Sequence, residues 1–148
     1  MKTYHETVSP TIQPVHVERE FNLDLENSDY TLKGFIDLVD RNSFIIDHKT
    51  AKKSWSEDQA TKDLQLTAYS LAYRTLEGKE EKGLRFDVMV RTKEPKIQQL
   101  YTTRNQKDID RFIKTLAYVY KAIETGIFYP NENWMCPSCG YGALCRKW

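Results

Sequence analysis

Apolar positions along this chain switch between a period of two and a period near 3.6, and the switches mark out its elements. From Pro14 to Leu25, the residues Val15, Val17, Phe21, Leu23 and Leu25 alternate loosely with polar ones, which predicts a strand. Two apolar runs follow, Thr31 to Val39 and Ser43 to Asp47, separated by the polar Asp40-Arg41-Asn42. They are rich in strand formers (Phe35, Ile36, Leu38, Val39, Phe44, Ile45, Ile46) and predict a β-hairpin. Residues 50–56 form a polar loop around Trp55. A single helix is predicted from Glu57 to Leu76, with Leu64, Ala68, Leu71, Ala72 and Leu76 on its apolar face and Gly78 at its end. Leu84, Phe86, Val88 and Val90 alternate cleanly, as in a half-buried strand. A polar turn, Arg91 to Pro95, leads to a short strand, Ile97 to Thr102. Thr103 and Gln106 stand at capping-box spacing before a second long helix carrying Ile109, Phe112, Ile113, Leu116, Val119, Tyr120 and Ile123, with Gly126 as a natural stop. Residues 1–14, with Pro10 and Pro14, read as irregular chain or the tail of a helix. This order predicts an α/β (α+β) fold, a mixed central sheet flanked by helices.

Composition narrows the partners more than the fold. The 148 residues are 40% apolar and 29% charged, enough for one globular domain with a core. Net charge is +1, so a nucleic-acid site must come from local clusters: Lys52-Lys53, Arg91 with Lys93 and Lys96, or Arg146-Lys147. A solvated surface is the plainer reading of each. No apolar run reaches transmembrane length and no signal peptide is visible, so the expected setting is cytoplasmic, with no membrane partner. All three cysteines fall in the last thirteen residues, which excludes a disulfide framework.

The hairpin carries the candidate chemistry. Side chains alternate along a strand, so Asp47 and Lys49 share a face and His48 takes the other. A tight hairpin brings Asp37 beside Asp47. Two carboxylates suffice for Mg²⁺, which keeps several waters and takes the rest of its shell from substrate phosphate. The backbone carbonyl of His48 is a candidate third ligand, and Lys49 is placed to hold a water or to stabilise charge on phosphorus. The plainer alternative is an Asp47–Lys49 surface ion pair with Asp37 solvated. Gln65 and Tyr69, four apart on the next helix, share a face beside its apolar one. Taken alone, they read as a surface Gln and a Tyr whose hydroxyl sits in water.

In order and spacing, Gly34-x-x-Asp37, Ile45-Ile46-Asp47-x-Lys49-Thr50 and Gln65-Leu66-x-x-Tyr69 together resemble the PD-(D/E)XK nucleases of the RecB and AddB type, a group that includes CRISPR-adaptation nucleases and phage-encoded relatives. The resemblance runs from about Pro14 to the C-terminus and takes in Arg91-Thr92-Lys93-x-Pro95, Gly126-x-Phe128-Tyr129-Pro130 and the cysteine tail. It implies a restriction-endonuclease-like core at residues 1–130, with 131–148 as a Cys-rich tail of the same domain. It implies Mg²⁺ or Mn²⁺ on Asp37 and Asp47, a catalytic Lys49, and Gln65 and Tyr69 lining the site. The family often adds a glutamate from the preceding strand; Glu18 matches best, and Glu20, of the same strand parity, stays open. The substrate implied is DNA, as single strands or duplex ends, with a helicase or other recombination protein as a candidate partner. The family's N-terminal helical segment is largely missing before Pro14, as in a trimmed, short or split relative, and pairing with a second chain is one way to complete it.

Cys136-Pro137-Ser138-Cys139 and Cys145 give C-x₂-C-x₅-C, a spacing that suits zinc or an iron–sulfur cluster, either of which needs four protein ligands. The family resemblance implies a [4Fe–4S] cluster completed by a cysteine near the N-terminus, which this chain lacks. His5 and His16 are the upstream soft ligands, His16 being more in keeping with a structural role. The plainer reading is three reduced thiols with Trp134 and Trp148 packed around them. The leading function is a metal-dependent DNA nuclease; the competitors are a catalytically incomplete DNA-binding module of the same fold and a zinc- or cluster-stabilised interaction domain.

Overall fold

Five strands form one sheet in chain order, antiparallel throughout except for the β3–β4 pair, which is parallel. They are β1 (Pro14–Asp24), β2 (Thr31–Asp40), β3 (Phe44–Ala51), β4 (Gly83–Val90) and β5 (Lys96–Thr102). The helices are α1 (Lys2–Thr7), α2 (Asp58–Lys62), α3 (Leu64–Glu77), α4 (Gln106–Glu124) and α5 (Gly142–Cys145). This computed structural model describes residues 2–25, 29–127 and 129–147; of the residues singled out in the sequence, Phe128 and Trp148 lie outside them. The mixed sheet flanked by helices is the α/β architecture expected. Two compact units divide the chain, Met1–Ile113 and Lys114–Trp148.

The hairpin forms because its turn is capped from within. The Asp40 carboxylate accepts from the amides of Asn42 and Phe44, at 2.8 and 2.9 Å, fixing the reversal. β3 runs on past the predicted Asp47 to Ala51, because β4 pairs with it along its whole length. β2 pairs with β3 only at Leu38–Ile46 and Val39–Ile45. Beyond that point the two strands part.

The expected helix from Glu57 to Leu76 is two helices. Asp63 breaks it: its backbone is extended, and its carboxylate caps α3 by accepting from Leu66 N at 2.9 Å. Arg104, buried just after β5, donates to the carbonyls of Ala60 and Asp63 at 2.8 and 3.0 Å and so satisfies the end of α2. The buried face of α3 also differs from the expected one. Leu66, Thr67, Tyr69, Ser70, Ala72 and Tyr73 are buried, whereas Leu64 and Leu76 are exposed. Counting leucines misplaced the face, because the polar groups buried here bring their own partners. Ser70 donates to Glu81 at 2.7 Å, and Arg74 binds the same carboxylate.

β4 is buried on both faces rather than one. Its supposedly outward residues, Arg85 and Asp87, are 7% and 0% exposed and neutralise each other, Arg85 Nε lying 2.9 Å from Asp87 Oδ1. A central strand with a parallel neighbour is covered on both sides. The core joins Phe21, Leu23, Ile36, Val39 and Ile45 with Leu84, Phe86, Val88, Leu100 and the inner face of α3. The α4 capping box is Asn105 with Asp108, two residues later than predicted: Asp108 N donates to Asn105 Oδ1 and Asn105 N to Asp108 Oδ2. On α4, Ile109 and Phe112 are buried, but Ile113, Val119 and Ile123 are exposed, so the predicted apolar face is only partly used.

Candidate active site

Asp47 sits at the middle of β3 with no exposed side-chain surface. Tyr69, one turn beyond Gln65 on α3, is buried over the same face. Four side chains close a ring there. Lys49 Nζ donates to Gln65 Oε1 at 2.8 Å, Gln65 Nε2 donates to Tyr69 Oη at 2.7 Å, and Tyr69 Oη donates to Asp47 Oδ1 at 3.3 Å. Lys49 Nζ lies 2.8 Å from Asp47 Oδ2 and 5.6 Å from the centre of the Phe86 ring. That ion pair is off the hydrogen-bonding direction, and Oδ2 remains a buried oxygen with no hydrogen bond. The solvated surface pair that the sequence left open is therefore not what forms: one partner is wholly buried. The Tyr69 hydroxyl is held by protein groups, not left in water.

Asp37 approaches from β2. Register from Leu38–Ile46 would set it opposite Asp47, at the point where β2 and β3 part. Its Oδ2 accepts the His48 amide at 3.1 Å, so a carboxylate takes the hydrogen bond that a neighbouring strand would have made. The N–H and C=O of one strand residue point to the same edge, so the His48 carbonyl also faces the Asp37 side. The His48 ring turns to the other face, as expected, where Nε2 lies 2.6 Å from Tyr4 Oη of α1.

The electrostatics of the site are set first by burial. Burial is the largest influence on Asp47 and pushes its pKa up; the Asp37 charge adds to this, while Lys49 and Tyr69 pull it back. The Tyr69 phenol is raised well above its usual value by burial and by the charges of Asp47 and Asp37. It stays protonated and can only donate to Asp47.

Glu18 is on β1, across from Asp37 in the register set by Val17–Leu38 and Arg19–Ile36. Its φ is 49°, a left-handed conformation costly for a non-glycine residue. The kink resets the alternation. Arg19, Phe21 and Leu23 turn inward after it, and Arg19 pairs with Glu77 of α3. The simple parity that equated Glu18 with Glu20 is thus broken, though both are exposed, Glu20 opposite Phe35. Among the described residues no group of three or more His, Cys, Asp or Glu is placed to hold a metal ion. Glu18 is accordingly not gathered with Asp37 and Asp47, nor are Cys136, Cys139 and Cys145 gathered with one another. The three thiols are free, Cys139 is exposed, and Asn133 N donates to Cys136 Sγ at 3.1 Å. Trp134 does not pack around them; it is 88% exposed. His5 is exposed and His16 lies 3.9 Å from Glu77, a structural contact.

Sequence reasoning missed Tyr4, Arg85, Asp87 and Gln98. Gln98 brackets the Trp55 backbone, accepting from Trp55 N and donating to Trp55 O, and so fixes the loop that follows Lys49. The one available signal was Arg85-x-Asp87, opposite charges on one strand face.

A model of the PD-(D/E)XK nuclease superfamily matches residues 1–146, and the chain belongs to that superfamily. Nucleases of this kind typically use divalent metals such as Mg²⁺ or Mn²⁺. No curated protein matches significantly. Among the solved structures that share the fold are two proteins of low identity. One, a protein from Eubacterium rectale described as a "Putative exonuclease", aligns at a TM-score of 0.66 and 14% identity over 99% of this chain and 56% of its own. The other, SSO0001, aligns at 0.53 and 16% identity over 88% of this chain and 58% of its own. This chain thus spans under three-fifths of the length of either. No helix among the described residues is long and apolar enough to cross a membrane.

Proposed function

We propose that this chain is a divalent-metal-dependent deoxyribonuclease of the RecB/AddB-like type, acting as an exonuclease on single strands or duplex ends. The observation that carries the reading is the wholly buried Asp47 carboxylate, whose Oδ2 meets the Lys49 ammonium at 2.8 Å but makes no well-directed hydrogen bond. A buried carboxylate is costly in a core unless cations stand beside it. The donor set fits a hard cation: two carboxylates and the edge-facing His48 carbonyl, all oxygen, with room left to water and phosphate. Asp37, Asp47 and His48 O would hold Mg²⁺ or Mn²⁺, which when bound polarises a phosphoryl oxygen and acidifies water. Lys49, fixed by Gln65, presents a positive charge where negative charge grows as water oxygen bonds to phosphorus and the phosphorus–oxygen bond to the leaving strand breaks. Tyr69, unable to ionise, holds Asp47 Oδ1, while Oδ2 faces Lys49. Glu18, opposite Asp37 on a strained backbone, is the candidate further carboxylate.

Residues 1–130 are read as the nuclease core and 131–148 as its Cys-rich tail. Cys136, Cys139 and Cys145 are proposed as three ligands of a [4Fe–4S] cluster or zinc whose fourth ligand comes from outside this chain. A cytoplasmic setting, a helicase or recombination partner that delivers DNA ends, and assembly with a second chain belong to the same proposal. One observation favours a second reading, a DNA-binding module without cleavage: the described residues gather no three-ligand metal group. Oligonucleotide cleavage with Mg²⁺ or Mn²⁺ decides between them. The parent should cut and Asp47→Ala and Lys49→Ala should lose at least about 100-fold. Equal cutting by all three would remove the assignment, and metal-independent binding with no cutting by the parent would establish the module.

A further inference from the structure

On the sheet face away from Asp47, a second group of polar side chains is built with equal care. Tyr4 Oη lies 2.6 Å from His48 Nε2, with the rings edge to face at 5.3 Å between centroids. His48 is aligned with Asp87 across the parallel β3–β4 pair. Asp87, wholly buried, is held by Arg85 Nε and Nη2, at 2.9 and 3.2 Å, and by Gln99 at 3.1 Å. Tyr101 Oη accepts from Arg85 and donates to Gln99. None of these groups touches the Asp47 ring directly. The two faces meet at His48, whose amide donates to Asp37 Oδ2.

We propose that Tyr4 is a positioning residue of the metal site, acting through the His48 ring to fix the His48 peptide and, with it, Asp37. This rests on the nuclease reading of Asp37 and Asp47. The strand geometry makes the connection stiff. The His48 peptide lies where β2 has left β3, so no backbone partner steadies that edge; the Asp37 carboxylate does so alone. Rotation of the strand about its axis would swing the His48 amide off Asp37 and its ring off Tyr4 together. Holding the ring therefore holds the amide. The second ring nitrogen, Nδ1, lies 4.0 Å from the same Asp37 Oδ2, so both the amide and the ring of His48 face that carboxylate.

Mn²⁺ titration calorimetry on the full chain tests this, with no need for substrate. Tyr4→Phe keeps the ring and removes the hydroxyl; His48→Leu keeps the peptide and removes the ring nitrogen. Each should weaken Mn²⁺ binding about 3- to 10-fold, the worth of one hydrogen bond transmitted to the site. If Tyr4 acts through His48, the double variant should be no weaker than the weaker single. Effects that multiply in the double variant would overturn the inference. So would parent-like affinity in Tyr4→Phe when Asp47→Ala has lost binding, a result that leaves the nuclease reading standing. If Asp47→Ala binds Mn²⁺ like the parent, the metal-site reading itself fails and the role of Tyr4 falls with it.

Discussion

Replacing Gly34 by alanine should damage both the fold and the site, for a reason visible in a few interatomic distances. A Cβ built on Gly34 would meet Phe21 Cζ at 2.6 Å and Cε1 at 2.9 Å, closer than carbon atoms approach. Gly34 and Phe21 are cross-strand partners on β2 and β1, so neither backbone can retreat without breaking the ladder. The Phe21 ring must yield instead. It is 3% exposed and stands edge-on to Tyr69, with centroids 6.2 Å apart. Overpacking of this kind costs about 1–3 kcal/mol. With about 2 kcal/mol for one methyl group against one buried ring, the thermal midpoint should fall by roughly 4–8 °C. Chemical denaturation measures the loss, and Phe21→Leu in the Gly34→Ala background supplies the control. Leucine lacks the colliding ring atoms, so the two substitutions together should cost about 1 kcal/mol less than the sum of the singles. The displaced ring pushes on Tyr69, whose bond to Asp47 is already 3.3 Å long, so cleavage should fall in Gly34→Ala and recover in part in the double variant. Strict additivity, or a Gly34→Ala chain as stable as the parent, would refute the argument.

Asp47→Asn should lose cleavage and gain stability. Burial, aided by Asp37, raises the folded pKa of Asp47 above its unfolded value. Its contribution to stability is therefore full below the unfolded pKa and lost as pH rises through the folded one. The midpoint difference between variant and parent should widen in the variant's favour from pH 4 to pH 8, and a variant less stable at pH 8 would contradict this. Glu18→Gly should stabilise the chain by about 1 kcal/mol, since glycine adopts a φ of 49° without strain, while cleavage drops because the carboxylate is gone. A denaturation midpoint that falls would show that the kink is not strained.

The strands and their order were legible because alternation is local, and Asp37, Asp47 and Lys49 were legible because a hairpin fixes parity. Gln65 and Tyr69 could be placed on one helical face, but the Tyr69 hydroxyl could not be assigned to Asp47 until the buried face of α3 was known. That face was misjudged because Ser70 and Thr67 look like solvent residues until Glu81 and Arg104 are brought to them from later in the chain. Alternation sets Arg85 and Asp87 on the polar side of β4 but, for the same reason, says only which residues share a side, not what covers that side. The Asp63 break was hidden because its cause, Arg104, is 41 residues away. Glu18 shows the limit of parity itself: Phe21 and Leu23, after this left-handed residue, are buried as alternation predicts, whereas Val15 and Val17, before it, are exposed.

Asp37, Asp47, Lys49, Gln65 and Tyr69 all lie on β2, β3 and α3, within one uninterrupted stretch of chain. Contacts so near in sequence close cheaply and early. What holds that stretch in place, by contrast, lies outside it: β1 before it, and Arg104, Glu81 and the β4–β5 pair after it. The chemistry is thus a portable cassette and the stability is not. A crossover flanking residues 37–69 would transfer the whole constellation in one event, and the recipient would have to supply its own Arg104.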